Sequence, residues 1–303
     1  MSHSPLLDYN RAESATEDRF HAALDVAAKR IAENAPDLTV IFFPDHINGF
    51  FYNLMPAFCV GAEAQSIGDY GSTAGPMAVP TDLAMDLSEF VLGQGVDTAV
   101  SFRMEVDHGG AQPLELLSGK HDLSKVIPIF INCAAAPRPG FDRVRALGRA
   151  VGAWAAQRPE RILILGSGGL SHDPPVPALE TATPEQRRRL IDGGTLTHAQ
   201  RQMRKTGAVK EGLKMRDGTS GLLPINPEWD RTLMDAFLAG DLKVLDRTSD
   251  TELTATGGRG GHEIRCWVAA LAALGADYTA TELFYEPIDV WLTGMGILAA
   301  EPA

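Results

Sequence analysis

Three histidines follow closely on apolar runs of the chain. In IFFPDHINGFF the run delivers Asp45 and His46, in SFRMEVDHGG it delivers Asp107 and His108, and in ILILGSGGLSHDPP a glycine-rich turn delivers Ser171 and His172. An imidazole can ligate a divalent metal through a bare nitrogen or carry a proton near neutral pH. Each of the three, taken singly, is more simply a turn histidine beside a capping aspartate. Their joint position at the C-terminal ends of strands, where open α/β sheets hold ligands, favours a site. A metal would also need a carboxylate, and GGRGGHEIRCWVAALAALG offers Glu263 in the first turn of an apolar helix. An acidic residue there also complements the positive helix end with no further role. His262 beside it points about 100° away around a helix, so the two seldom serve one centre. His21, His121 and His198 fall on a helix face or in polar loops and are read as solvated. His3, in MSHSPLLDYN, has only Met1 and Ser2 before it and lacks the preceding strand that the other site histidines share.

Short apolar runs alternate with longer amphipathic ones, the pattern of an α/β layer architecture. LTVIFF from Leu38, DTAVSFRM from Asp97, KVIPIFIN from Lys125 and RILILG from Arg161 are expected as buried strands. Helices are expected over Glu17 to Glu33, Leu83 to Leu92, Arg143 to Ala156 and His262 to about Leu274. A further helix starts where Thr183 caps, Pro184 takes the first position and Gln186 reaches back. Gly193 to Asp217 is polar and glycine-dotted, and reads as a segment that covers a site or crosses the surface. No linker divides the chain. Residues 1–303 are expected to form a single α/β domain, a central mixed sheet flanked by helices, with the site at the C-terminal ends of strands.

The chain has 303 residues and a formal net charge of -12, with no basic footprint of the kind that neutralises phosphates, so nucleic acid is not the expected partner. Three scattered cysteines, Cys59, Cys133 and Cys266, suit reduced thiols in the cytoplasm. No apolar run approaches the roughly 18 residues of a spanning helix, and no membrane partner is expected. The glycines around Arg259 follow polar TELTAT and match neither nucleotide-binding pattern.

SHSPL, FFPDHINGFFYNLMPAFCVG, VDHGGAQPLELL, LGSGGLSHDPPVP and GHEIRCWVAA together resemble the class III extradiol ring-cleaving dioxygenases, over nearly the whole chain. The resemblance implies iron(II) held by His3, His46 and Glu263, with His108 as proton donor and His172 as acceptor. It implies a catechol substrate carrying a propionate or acrylate side chain, cleaved beside its diol with both atoms of O2 retained, and a homo-oligomer. Two imidazoles and a carboxylate on one face of iron(II) leave open positions for substrate and oxygen. Asp107 and Asp45 are expected to orient His108 and His46 from behind. Arg259 is a candidate for the side-chain carboxylate, against the plainer reading of a surface arginine in a loop. The alternatives are another catechol, a protocatechuate or an aminophenol, or a non-enzymatic protein of the same fold. In the resembled family a short strand precedes the SHSP segment, so the native chain is expected to begin upstream of Met1.

Overall fold

The computed structural model describes residues 1–119, 122–194 and 196–303, and only the backbone of His198. His121 and the His198 side chain lie outside this description; His21 is exposed, as expected. In chain order the elements are α1 (Ser14–Asn34), β1 (Leu38–Phe43), β2 (Phe58–Gly61), β3 (Ala64–Ser66), β4 (Gly75–Pro76), α2 (Thr81–Gly93), β5 (Ala99–Ser101), β6 (Met104–Val106) and α3 (His108–Ser118). There follow β7 (Val126–Ile131), α4 (Phe141–Ala155), β8 (Ile162–Gly166), α5 (Pro184–Asp192), α6 (His198–Arg216), α7 (Pro227–Leu238) and α8 (Asp250–Gly257). A 3-10 turn (Gly260–Glu263) leads into α9 (Ile264–Ala272), and the chain ends in the hairpin of β9 (Tyr278–Ile288) and β10 (Thr293–Pro302).

The central sheet has the order β5-β2-β7-β1-β8. It is mixed: β1 runs parallel to β7 and β8, and β2 parallel to β5, while β2 and β7 are antiparallel. Every residue of β1 and β7 is buried, because both faces are covered and side chains alternate between them. Val40, Phe42, Ile127 and Ile129 pack with Val144, Leu147 and Trp154 of α4 and with α9. Ile41, Phe43, Val126 and Phe130 pack on the other face with Phe20 and Leu24 of α1 and Leu114 of α3. These continuous apolar strands carry their loops to one edge of a stiff layer.

Three expectations need correction. DTAVSFRM is two short strands: β5 pairs with β2 in the central sheet, whereas β6 pairs with β3 in a separate sheet of β4, β3 and β6. A bend at Phe102 and Arg103 separates them, and β5 is a partly exposed edge. At the opposite edge, β8 is only half-buried over its first three residues. Gly193 to Asp217 is largely helix, because Thr197 and Gln200 form a full capping box at the head of α6. The box expected at Thr183 and Gln186 is present at α5.

The first residues are fixed between β8 and the hairpin. Met1 N donates to Gly166 O at 2.6 Å, Gly168 N donates to Met1 O at 3.1 Å, and Ser2 N donates to Gly296 O at 2.8 Å. The Ser2 hydroxyl accepts from Gly296 N at 2.9 Å. His3 is therefore seated by main-chain hydrogen bonds rather than left on a frayed end.

Candidate metal centre

Glu263 ends the 3-10 turn, at the start of α9, and its side chain is buried. Its Oε2 accepts from Gly169 N at 2.8 Å and lies 3.9 Å from His3 Nε2. Its Oε1 lies 3.3 Å from both His46 Nε2 and His172 Nε2. The His108 ring stacks on His46, centroids 4.4 Å apart, and meets His3 edge-on at 5.5 Å. The loops after β1, β6 and β8 thus bring His46, His108 and His172 together with His3 and Glu263.

Each imidazole is fixed through its other nitrogen. The Ser167 hydroxyl donates to Gly109 O, so its oxygen accepts from His3 Nδ1, 3.0 Å away. His46 Nδ1 donates to Asp107 Oδ2 at 2.9 Å, His108 Nδ1 to Asp69 Oδ2 at 2.6 Å, and His172 Nδ1 to Leu170 O at 2.9 Å. The four Nε2 atoms are thereby turned toward one another and toward Glu263, placed to act as ligands or proton carriers.

The expected pairing of aspartates with histidines is corrected. Asp107 caps α3 through Oδ1 to Gly109 N and turns Oδ2 to His46, so it cannot also orient the adjacent His108. Asp69, in the turn between β3 and β4, does that through both oxygens, one to His108 N at 2.7 Å. Asp45 does not reach an imidazole; its carboxylate accepts from the amides of Asn48, Gly49 and Phe50 and shapes the loop that carries His46. Sequence reading had missed Asp69 and Ser167. The glycine-flanked GDYG around Asp69 and the serine immediately after β8 were the available signals.

Burial works against charge on every group here, and the neighbours decide the outcome. Burial holds the His3 pKa down at about 3, against a smaller upward pull from Glu263. Burial also opposes charge on His46, but Asp107 and Glu263 outweigh it and raise its pKa well above the usual value. His172 is raised likewise, the Glu263 carboxylate overcoming burial. Glu263 is held well below the carboxylate range, because His172 and His46 outweigh its burial. A carboxylate ringed by Nε2 atoms needs positive charge between them, supplied by protons or by a cation. Ligand atoms of His3, His46 and His108 also come within 4.8 Å of one another. Imidazoles with acceptors behind them, together with a carboxylate, fit a divalent metal.

His262 takes no part. It is fully buried, with Nε2 at 2.8 Å from Thr254 Oγ1 and Nδ1 at 2.8 Å from Arg265 Nη1, away from Glu263. Arg259 donates from Nε to Asp173 Oδ1 at 2.6 Å, and from its two terminal nitrogens to Val176 O and Pro174 O. It fastens the segment after His172 and lines a cavity of about 280 Å³ that reaches His46, Gly260 and Glu263. Gly260 has no alternative there, since a Cβ would stand 1.9 Å from His172 Nε2.

The family model for the catalytic LigB subunit of aromatic ring-opening dioxygenase matches residues 1–295. The chain belongs to the LigB family, and it is an extradiol dioxygenase acting on a small catechol and O2. Among curated relatives, a 2,3-dihydroxyphenylpropionate/2,3-dihydroxicinnamic acid 1,2-dioxygenase of Rhodococcus sp is 48% identical over 99% of this chain and 96% of its own length. Proteins of the same name from Photorhabdus laumondii and Escherichia coli K12 are each 44% identical over the same shares. A crystal structure of an uncharacterized Escherichia coli K12 protein aligns at TM-score 0.47 and 14% identity, covering 92% of this chain and 91% of that one. Among the described residues no helix is long and apolar enough to cross a membrane.

Proposed function

We propose that the enzyme binds iron(II) through His3, His46 and Glu263 and opens the ring of 3-(2,3-dihydroxyphenyl)propionate, with 2,3-dihydroxycinnamate as a second substrate. The observation that carries this reading is the convergence of three Nε2 atoms on the buried Glu263 carboxylate. A buried dication needs anionic charge, which imidazoles alone do not supply, so Glu263 belongs in the ligand set. His3 and His46 are the two imidazoles that both neighbour Glu263 and lie in the close imidazole cluster. Held by His3, His46 and Glu263, iron(II) would supply Lewis acidity and a route for electrons between the catechol and O2.

The remaining imidazoles handle protons. His172, its Nδ1 fixed on Leu170 O and its Nε2 turned to the site beside Glu263, takes the proton that the catechol must lose. His108, its ring fixed through Nδ1 by the Asp69 carboxylate, returns a proton to the opening ring. The ring enters the cavity beside His46, where Val176, Leu179 and Leu190 supply apolar walls. Arg259 retains N–H groups beyond its three contacts and meets the side-chain carboxylate. The name borne by the relatives supports the propionyl and cinnamyl substrates. Residues 1–303 act as one catalytic domain, in the cytoplasm, as a homo-oligomer.

The test is anaerobic loading with iron(II), followed by oxygen uptake on a panel of catechols. Stoichiometric uptake and ring fission, fastest with the propionyl catechol, are expected. Uptake restored by another divalent metal and not by iron(II), or a preference for plain catechol, would overturn the respective part.

A further inference from the structure

A second cavity, of about 230 Å³, touches the residues that hold the histidines instead of the histidines themselves. Asn48, which bonds Asp107, lines it, as do Asp69, which bonds His108, and Tyr70, whose ring meets His108 edge-on at 4.9 Å. Helices α5 and α6 bring Arg189, Arg201, Arg204 and Lys205 to its wall. Four cations around one cavity run against the trend of a chain whose net charge is -12. The carboxylates that face them are Asp69 and Glu105, and Asp69 already gives both oxygens to His108.

Among the described residues no salt bridge neutralises these four cations; the partners of Arg201, Arg204 and Lys205 are neutral oxygens or a ring. Arg189 has a buried Nη1 with no hydrogen-bond partner among the described residues. Burial, and after it the charge of Arg204, lowers its pKa, while Asp45 pulls weakly the other way. Arg204 reaches a neutral amide oxygen, Asn48 Oδ1, at 3.2 Å. Arg201 donates to two main-chain carbonyls, and Lys205 Nζ rests 4.6 Å from the centroid of the Tyr9 ring. Cations crowded around one cavity are relieved by an incoming anion, and planar guanidinium forks suit a carboxylate. The rest of the wall includes Tyr9, Tyr70, Ile67 and Leu196, which suit an apolar or aromatic body.

We infer that this cavity is a second binding site, separate from the ring-cleavage pocket, for a small organic carboxylate with an apolar or aromatic body. The inference goes beyond the proposed reaction, since it stands whichever catechol is cleaved. An occupant that engages Arg204 is linked to His46 through Asn48 and Asp107.

Calorimetric titration of the iron-loaded enzyme with 3-phenylpropionate, which lacks the vicinal hydroxyls, tests it. Saturable binding is expected, weakened about tenfold or more in the Arg189→Gln/Lys205→Gln double variant and by added salt. Lys205→Arg, which keeps the charge, should bind like the wild type, and uncharged 3-phenylpropionamide should not bind. Retention of the wild-type melting temperature in the double variant shows that the loss is not unfolding, and Lys205→Gln alone, on a half-buried residue, should show part of the same loss. Wild-type affinity in the double variant would overturn the site. So would a loss confined to Arg259→Gln, which would put the carboxylate in the ring-cleavage pocket. Equally tight binding of inorganic phosphate would overturn its organic character.

Discussion

Asp107 holds His46, 61 residues away along the chain, and not its neighbour His108: one oxygen, Oδ2, accepts from both the His46 amide and the His46 ring at 2.9 Å. Two carboxylates therefore stand behind two stacked imidazoles, Asp107 behind His46 and Asp69 behind His108. The proposed division of labour makes them separable. Asp107→Asn should weaken metal retention about 10- to 100-fold. Asp69→Asn should leave metal content near normal and lower turnover about 100-fold. Metal analysis after dialysis against a chelator, beside turnover at saturating metal, checks both. The reverse pattern would exchange the roles of His46 and His108.

Gly260 offers a way to disturb His172 without replacing it. The Cβ of Gly260→Ala would collide with His172 Nε2, so the ring must leave its place against Glu263. Turnover should fall about 100-fold or more, as in His172→Phe, with metal still bound in both. Loss of metal from either folded variant would make His172 a ligand.

Asp230 ties the His172 loop to the hairpin. It accepts from the Ser171 amide at 2.7 Å, the Ser171 hydroxyl at 2.9 Å and the Tyr285 hydroxyl at 2.9 Å. Burial nevertheless raises its pKa above the ordinary 3.8. The folded chain then binds this proton more tightly than the unfolded chain. The associated stability is full below the unfolded value and declines as pH rises through the folded one. Asp230→Asn, which has no proton to lose, should flatten that decline. Thermal unfolding of both proteins from about pH 4 to 8 provides the comparison, and identical slopes would exclude Asp230 as the source.

Arg259→Gln should lower kcat/KM for the propionyl catechol about tenfold more than for plain catechol, the equivalent of about 1.4 kcal/mol of lost carboxylate recognition. Equal losses on both substrates would leave Arg259 only its hold on Asp173, Pro174 and Val176.

Legibility in the sequence followed the range of the interactions. His46, His108, His172 and Glu263 could be read because strand ends and a helix start are local features with local signals. The partners of those residues could not be read from adjacency. Asp107 lies beside His108 in the chain, yet as the cap of α3 it faces a different loop, and Asp69 reaches His108 from a turn 39 residues earlier. Helix α6 escaped notice because few of its positions are buried, Ala208 and Met215 among them, so the apolar period was faint although its capping box was intact. Strand β2 is four buried residues inside a longer apolar stretch, too short to show a period. The β9–β10 hairpin is half-exposed over much of its length and depends on pairing, not on composition.

The seating of residues 1 to 4 gives the centre a place in time. Ser2 binds main-chain groups of Gly294 and Gly296, nearly three hundred positions later, and Met1 is held by Gly166. Closing so wide a loop is among the slower and entropically dearer steps of folding. His3 gains its seat only once the β9–β10 hairpin has docked beside residues 1 to 4. Before that docking His46 and His108 can stand in place while His3 does not, so the cluster around Glu263 is assembled from both ends of residues 1–303.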